Sequence, residues 1–321
     1  MKTLIRSVGP KREFQTLSSA LDNLPETIQE GIASLRIEIA PGTYMEKVNI
    51  RIPKIEIIGT GASRQETVIY FSDAAKDLDL LGEALGTFRT PSVYIDADYC
   101  HIENLSIENR AGLGKDVGQA VALAINVAHG TFKNVHLAGD QDTLFLAPLP
   151  DYAVQPRGFL GSEQWTQRIS TASVFQDCSI SGGVDFIFGG GAAYFQDCEL
   201  ISDGGYITAA STAENQRYGF LFDSCTLSSS DPNHKTYLGR PWRSHAKTAF
   251  YKCYLGEHIH HDGWHDWNKE DARDLSSYEE YGNYGPGSAT DKRPSWVHIL
   301  KKLPEHYTLE AFCAYFNISL D

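Results

Sequence analysis

Two aspartates occupy equivalent positions in a repeated segment of the chain. Asp142 lies ten residues after Phe132, and Asp185 lies ten residues after Phe175. If the two repeats stack as neighbours, equal offsets place both carboxylates in one column. Adjacent strands are about 4.8 Å apart, so the carboxyl groups are predicted to lie roughly 5 Å from each other. At that separation they cannot both ionise easily, and the pair supplies an acid and a base at the same pH.

The segments around the two aspartates favour catalysis over turn capping, which is the usual role of an isolated aspartate in such repeats. Gln141-Asp142-Thr143-Leu144 and Asp185-Phe186-Ile187-Phe188-Gly189 surround the carboxylates with amides, aromatic rings and glycine rather than with solvating charge. Farther along, Leu238-Gly239-Arg240-Pro241-Trp242 offers a planar cation and an aromatic ring on a proline-flanked segment. These three segments form the candidate catalytic set.

The elements that must position this set form a ladder of repeats. The pattern Phe-x-x-Cys-x-Leu/Ile begins at Phe175, Phe195, Phe222 and Phe250, and copies without Cys begin at Ile102 and Phe132. The four full copies are separated by 20, 27 and 28 residues, a solenoid period whose units must stack to bury their apolar sides. Because the repeats are rich in Phe, Val, Ile, Thr and Ser and lack helical periodicity, they predict an all-β parallel β-helix.

One long excursion interrupts the ladder. The two aspartates are 43 residues apart, too far for one coil, but residues 147–168 are rich in Pro, Gly and Gln and are predicted to leave the stack. Without these 22 residues the separation is 21, close to the next spacing of 20. Tyr152, Phe159 and Trp165 of the excursion could line a substrate cleft or pack locally.

The remaining features predict one domain over residues 1–321, with short capping helices at its ends. Phe14 to Leu24 is predicted to form an amphipathic helix, Ala40-Pro41-Gly42-Thr43-Tyr44 to open the first strands, and residues 309–316 to form a terminal helix. The cysteines are predicted to be reduced core residues, since none forms a CxxC pair. They are Cys100, Cys178, Cys198, Cys225, Cys253 and Cys313.

Composition limits the partners. The net charge of −13 argues against nucleic acid, and the longest apolar run, Ala120 to Ile125, is far too short to cross a membrane. The N-terminus as written carries no export signal, which predicts a cytoplasmic location, or secretion if a signal has been removed. His258, His260, His261 and His265 with Asp262 and Asp266 match no metal motif and are predicted to be surface residues. We expect a monomer that needs no metal and no cofactor.

Five segments, in order along the chain, resemble the pectin methylesterases. They are Gly42-Thr43-Tyr44-Met45-Glu46, Gln119-Ala120-Val121-Ala122-Leu123, Gln141-Asp142-Thr143-Leu144, Asp185-Phe186-Ile187-Phe188-Gly189 and Leu238-Gly239-Arg240-Pro241-Trp242. The similarity runs from about Phe14 to Gly287. It implies a right-handed parallel β-helix, which agrees with the repeat analysis, and a carbohydrate esterase that modifies methyl-esterified homogalacturonan or its oligosaccharides in the plant cell wall.

The resemblance also implies residue roles. Asp185 is the expected nucleophile toward the C6 methyl ester of galacturonate, and Asp142 the expected general acid and base. Gln119 and Gln141 are expected to donate hydrogen bonds to the oxyanion, and Arg240 to keep Asp185 ionised and aimed. The rings of Phe188 and Trp242 are expected to pack on sugars.

Four other readings keep the fold. A pectate lyase needs an acidic Ca²⁺ cluster with a basic residue, and a polygalacturonase needs another set of aspartates; neither pattern is evident. A non-catalytic carbohydrate-binding protein has no use for a shared-proton pair. The alternative of an esterase or thioesterase that acts on another acyl group stays open.

Overall charge gives an expectation about substrate. Free galacturonates are anions, and they should be repelled by a chain of charge −13 with an essential carboxylate in its cleft. Highly methylated pectin is therefore expected to react fastest. Arg157, Arg168 and Arg217 could accept free carboxylates at outlying positions.

Overall fold

A computed structural model describes residues 2–231 and 233–320, and its main feature is 22 strands joined in parallel pairs. The strands are β1 (Thr3–Val8), β2 (Ser34–Ile39), β3 (Gly42–Met45), β4 (Val48–Arg51), β5 (Lys54–Gly59), β6 (Thr67–Phe71), β7 (Val93–Glu103), β8 (Ser106–Asn109), β9 (Leu123–Lys133), β10 (His136–Ala138), β11 (Leu144–Leu146), β12 (Ala172–Gln176), β13 (Ser179–Gly189), β14 (Ala192–Gln196), β15 (Glu199–Ala210), β16 (Phe220–Asp223), β17 (Thr226–Ser228), β18 (Thr236–Gly239), β19 (Lys247–Tyr251), β20 (Tyr254–Leu255), β21 (Ser277–Tyr281) and β22 (His298–Ile299). The helices are α1 (Leu17–Ala20), α2 (Glu26–Gln29), α3 (Gly114–Val117), α4 (Glu270–Leu275) and α5 (Leu309–Phe316), with short 3₁₀ turns at Arg64–Glu66, Thr87–Arg89, Ser162–Trp165 and Glu305–Tyr307.

The strands form three parallel stacks, which we name A, B and C. Stack A runs through β1, β2, β5, the ends of β7 and β9, then β12, β14, β16, β19, β21 and β22. Stack B contains β3, β6, β8, β10, the starts of β13 and β15, β17 and β20. Stack C contains β4, the starts of β7 and β9, β11, the ends of β13 and β15, and β18. The chain passes from A to B to C in each coil, so the predicted parallel β-helix is confirmed.

The repeated pattern forms the centre of the core. Phe132, Phe175, Phe195, Phe222 and Phe250 are paired in register on stack A, and their rings stack with centroids 4.3–4.7 Å apart. The cysteine three residues later is buried and unbridged in each full repeat, and its thiol donates to a backbone carbonyl of the neighbouring coil. The core role predicted for these cysteines is confirmed.

The residue before each of these cysteines explains how the coil turns from stack A to stack B. It has a positive φ of 53–57° in all four full repeats: Asp177, Asp197, Ser224 and Lys252. Asn104 and Asn134 have the same left-handed backbone in the two earlier repeats. Asn and Asp tolerate this conformation better than other side chains, which accounts for their frequency at this corner.

We expect Phe195→Ala to destabilise the whole solenoid. Phe195 is fully buried between Phe175 and Phe222, so truncation leaves a cavity that the flanking coils cannot close. The free energy of unfolding should fall by about 3–5 kcal/mol, measured by urea denaturation. Trp165→Ala is the control, since that ring is 80% exposed and its loss should change stability by less than about 0.5 kcal/mol. A loss below about 1 kcal/mol for Phe195→Ala would contradict the stacked core.

The ends differ in detail from the sequence predictions. The predicted helix over residues 14–24 is only one turn long, α1, because Asn23 is left-handed and Pro25 disfavours helix in the residue before it. Strands begin at β1 rather than near Ala40, so that prediction was wrong: β1 pairs with β2 ahead of the Pro-Gly turn. Helix α5 has the predicted bounds and packs across the outer face of stack A. No helix among the described residues is long and apolar enough to cross a membrane.

Candidate active site

The site residues lie at the start of neighbouring strands in stack C. Gln141 bridges Val184, and Leu144 pairs with Ile187, so Asp142 and Asp185 occupy the same level of adjacent coils. The Asp142 backbone N–H donates to the Val184 carbonyl at 3.0 Å, which fixes this register. The single column predicted from equal offsets is therefore confirmed.

Both aspartates have unusual backbone conformations. Asp142 and Asp185 have φ values of 68° and 51°, in the left-handed region. Between Val184 and Ile187 the register with β15 shifts, so two residues of β13 face one residue of β15. Such a bulge re-aims a side chain and is common beside active sites. It directs the Asp185 carboxylate toward Arg240, two coils farther along the stack.

Arg240 holds Asp185 with a two-pronged ion pair. Its Nε donates to Oδ1 at 2.8 Å and its Nη2 donates to Oδ2 at 2.6 Å. The guanidinium carbon lies over the rings of Tyr206 and Trp267, 3.9 Å and 3.7 Å from their centroids. This sandwich leaves the guanidinium little freedom, so both oxygens of Asp185 are fixed in position.

The environment separates the two carboxyls chemically. Both are buried, with 7% of Asp142 and 6% of Asp185 exposed, and burial raises the pKa of each. For Asp142 the neighbouring charge of Asp185 raises the pKa further, to well above the usual carboxyl range. For Asp185 the hydrogen bonds and charge of Arg240 oppose the rise in pKa. Asp185 is therefore the stronger acid of the two, and Asp142 has the higher pKa.

These groups line an open pocket of about 420 Å³. Gln119 and Gln141 also line it, and within residues 2–231 and 233–320 neither side-chain amide has a hydrogen-bond partner, so both are available to a ligand. Phe188 and Trp242 line the pocket with ring centroids 5.7 Å apart. Phe188 is only 3% exposed, so Trp242 offers more of its surface to a bound molecule.

Several pocket residues escaped the sequence analysis. Phe88 packs against Phe188 and Trp242, Trp267 covers Arg240, and Lys269 and Arg243 line the same pocket. They come from connections rather than from the repeats, so no periodic signal marks them. Two tryptophans three residues apart in one loop, Trp264 and Trp267, were the one available hint. Trp264 turns into the core and only Trp267 reaches the pocket.

Comparison with known proteins identifies the family. The Pectinesterase family model matches residues 6–157 and 161–316. This chain belongs to the pectinesterase family. Among curated relatives, Pectinesterase QRT1 of Arabidopsis thaliana is 32% identical over 89% of this chain and 70% of its own length. Probable pectinesterase/pectinesterase inhibitor 64 of the same plant is 30% identical over 95% of this chain, which spans only 49% of that relative. A solved pectin methylesterase from carrot has the same fold, with a TM-score of 0.81, 24% identity and coverage of 100% of this chain and 98% of its own.

In this pectinesterase-family chain, the excursion over 147–168 forms one wall of the pocket. Its residues Ala153, Val154, Gln155, Gly158 and Phe159 line the cavity. Of the aromatic residues predicted either to line a cleft or to pack locally, Phe159 lines this pocket and contacts Phe88 and Trp242 edge-on, whereas Trp165 is exposed and does not line it. The excursion is docked on the β-helix partly through a buried carboxyl, Glu163, which accepts a hydrogen bond from Tyr94 at 2.9 Å.

We expect docking of this excursion to weaken as pH rises. Glu163 is 5% exposed, and burial raises its pKa to about 7. The hydrogen bond from the Tyr94 hydroxyl and the positive charges of Arg51 and Arg168 oppose this rise, and the negative charge of Asp96 adds to it. The pKa of Glu163 in the docked excursion is higher than that of an ordinary glutamate. Docking is therefore most favourable at pH values below the ordinary glutamate pKa, and it weakens as the pH rises to about 7.

Hydrogen exchange of residues 150–166 at pH 5.5 and pH 8 measures this effect. Protection in the parent protein should be lower at pH 8, after correction for the intrinsic exchange rate, and Glu163→Gln should remove the difference. Glu83→Gln is the control, because the exposed Glu83 carboxylate also contacts the excursion, through Arg157. Equal pH dependence in the parent and Glu163→Gln would contradict the role of Glu163.

One residue of the histidine cluster differs from its predicted surface position, and each of the three arginines contacts another side chain. The surface prediction was wrong for His258, which is 2% exposed and has its pKa lowered to about 4 by burial. His260, His261 and Asp262 hold possible ligand atoms within 4.8 Å of one another, but His260 Nδ1 already accepts the Asp262 backbone N–H. The arginines are engaged elsewhere: Arg157 pairs with Glu83, Arg168 pairs with Asp151, and Arg217 lies over Tyr218 and Tyr315.

Proposed function

We propose that this chain is a pectin methylesterase that hydrolyses the C6 methyl esters of galacturonate in pectin, giving pectate and methanol. The observation that carries the proposal is the buried pair of Asp142 and Asp185, of which only Asp185 is held by Arg240. That asymmetry provides an ionised nucleophile beside a protonated acid. Membership of the pectinesterase family supports methyl-esterified galacturonan as the substrate.

In the first step, an oxygen of Asp185 attacks the ester carbonyl carbon. The electron pair of the carbonyl moves onto its oxygen, and the side-chain amides of Gln119 and Gln141 donate to this oxyanion. Collapse of the tetrahedral intermediate breaks the bond to the methoxy group, which leaves as methanol with the proton of Asp142. The product of this step is an acyl anhydride with Asp185, and Asp142 becomes a carboxylate.

In the second step, Asp142 accepts a proton from water as the water attacks the galacturonyl carbon. The same two amides stabilise the second oxyanion, and its collapse releases the Asp185 carboxylate and a galacturonic acid unit, which then gives its proton to solvent. Asp142 again holds its proton, so the pair returns to its starting state. Arg240 keeps Asp185 aimed throughout, because its two hydrogen bonds and the sandwich between Tyr206 and Trp267 fix both oxygens.

Methanol release from highly methylated pectin by the purified chain tests the function. We expect methanol and free carboxylate to form in equal amounts, with no unsaturated product detectable by its ultraviolet absorbance, because the reaction cleaves the ester and not the polymer. A chelator should leave the rate unchanged, since every proposed proton transfer and oxyanion contact comes from a side chain. Unsaturated product, or loss of activity restored by Ca²⁺, would favour a lyase. Hydrolysis of simple acyl esters or thioesters without activity on pectin would favour an esterase or thioesterase that acts on a different acyl group.

A further inference from the structure

A second buried ion pair lies near the C-terminal end of the β-helix. Glu280 on β21 pairs with Arg293 from the connection between β21 and β22: Arg293 Nε donates to Glu280 Oε1 at 2.7 Å, and Nη2 donates to Oε2 at 3.2 Å. The two side chains are 2% and 1% exposed, and neither lines the pocket. Such a pair adds little net stability, because the cost of removing two charges from water offsets their attraction. Its effect lies in the segments that it joins.

The Arg293 guanidinium holds the turn at His260 and His261. Its Nη1 donates to the carbonyls of these two residues at 3.2 Å and 2.8 Å, and its Nη2 donates to Gly287 O at 3.0 Å. With the two bonds to Glu280, the guanidinium makes five hydrogen bonds, as many as it has N–H groups. The position of this turn therefore depends on one fully satisfied side chain.

Glu280 holds the tryptophan that follows the turn. Its Oε1 accepts a hydrogen bond from Trp264 Nε1 at 3.0 Å. The Trp264 ring is 1% exposed and stacks on Tyr278, with ring centroids 4.4 Å apart. It also packs against Gly239, where an added Cβ would lie 3.1 Å from the ring. Because Gly239 directly precedes Arg240, the ring fixes the backbone that leads into the site.

The segment around this tryptophan also pairs with β18, the strand that ends just before the arginine of the site. The Leu238 N–H donates to Gly263 O at 2.7 Å, and the His265 N–H donates to Gly239 O at 3.1 Å. Two residues after His265, the chain places the Trp267 ring over the guanidinium that holds the nucleophile. One loop therefore positions both the backbone before this arginine and the ring that covers it.

We propose that Glu280 and Arg293 are positioning residues for the nucleophile. They act through Trp264 and its loop, which fix Arg240 against Asp185. The proposal rests on the proposed function, in which the two hydrogen bonds from Arg240 aim both oxygens of Asp185. The ion pair touches neither residue, so its effect on the reaction is indirect. When the loop shifts, the guanidinium loses its support and these two hydrogen bonds weaken.

A weaker contact with Arg240 changes the pKa of Asp185 in a definite direction. The hydrogen bonds and charge of Arg240 oppose the rise in this pKa that burial causes, and Lys269 opposes it more weakly. The other titratable groups that feel the charge of Asp185 are Asp142 and Tyr278. The buried ion pair is not among the groups that shift this pKa directly. Loosening Arg240 should therefore raise the pKa of Asp185.

Arg293→Lys separates positioning from charge. Lysine keeps the positive charge opposite Glu280, but it has three N–H bonds instead of a planar fork of five and cannot hold all the same partners. We expect kcat/KM on methylated pectin to fall by about tenfold or more and the pKa of Asp185 to rise by about one unit. Carbon-13 NMR of labelled aspartate carboxyls, assigned with Asp185→Asn, measures this pKa without substrate. Arg36→Lys is the matched control, because Arg36 pairs with Glu56 on stack A outside the pocket.

The double variant Glu280→Met/Arg293→Met tests the same role without a buried charge. Replacing a buried ion pair by apolar side chains of similar volume leaves folding stability near that of the parent, which the thermal midpoint reports. Activity and the pKa of Asp185 should nevertheless change as in Arg293→Lys, because the hydrogen bonds to the loop are gone.

Three outcomes would overturn the positioning role. A folded variant with kcat/KM within about threefold of the parent and an unchanged pKa of Asp185 would show that the pair serves only the fold. Loss of activity without a rise in this pKa would show that the loop does not act through Arg240. Failure of both variants to fold would make the pair a requirement of the β-helix itself. If the parent releases no methanol while the pKa of Asp185 still depends on Arg293, the esterase proposal fails and the positioning role stands.

Discussion

Asp185→Asn is expected to abolish turnover while leaving the β-helix folded. Asparagine keeps the shape of the side chain and tolerates the left-handed backbone at φ 51°, so the bulge should persist. It cannot form the acyl intermediate, and kcat should fall by about four orders of magnitude or more. Initial rates of methanol release, together with circular dichroism and the thermal midpoint, measure both parts of the expectation.

The chain offers a matched control for Asp185→Asn. Asp177 has almost the same backbone, with φ 54°, but lies exposed at the corner between stacks A and B and outside the pocket. Asp177→Asn should keep full activity. A folded Asp185→Asn protein with activity within about 100-fold of the parent would remove Asp185 from the nucleophile role.

Asp142→Asn is expected to lower kcat/KM by about 10²–10⁴-fold and to change its pH dependence. The first step needs Asp142 protonated, and its pKa is raised by burial and by the charge of Asp185. In the parent, activity should therefore decline as pH rises through this elevated pKa. The amide that replaces the carboxyl group in Asp142→Asn does not titrate, so the alkaline decline should disappear from the residual activity. The acidic limb, due to protonation of Asp185, should remain.

A pH profile of kcat/KM for the parent and the variant checks this assignment. Asp197→Asn is the control, because Asp197 has a similar backbone, with φ 53°, at an exposed corner outside the pocket. Its profile should match that of the parent. An alkaline limb that persists unchanged in Asp142→Asn would assign the acid to another group.

The sequence alone determined the features that depend on the repeat. In a parallel stack each residue lies beside the residue one coil away, so equal offsets along the chain become neighbours in space. This is why the Phe ladder, the cysteine column and the pairing of Asp142 with Asp185 could all be predicted from spacing. The 147–168 excursion was recognisable for the same reason, since removing it restored the period.

The tertiary structure decided what the repeat does not fix. Phe88, Arg243, Trp267 and Lys269 reach the pocket from connections of unequal length, which have no register and therefore no periodic signature. The bulge at Asp185 and the position of α5 on the flank of stack A likewise depend on contacts between distant segments. Local charge follows the same division: the sum of −13 is a property of the sequence, whereas Arg243 and Lys269 lie beside the two aspartates only because the loops converge there.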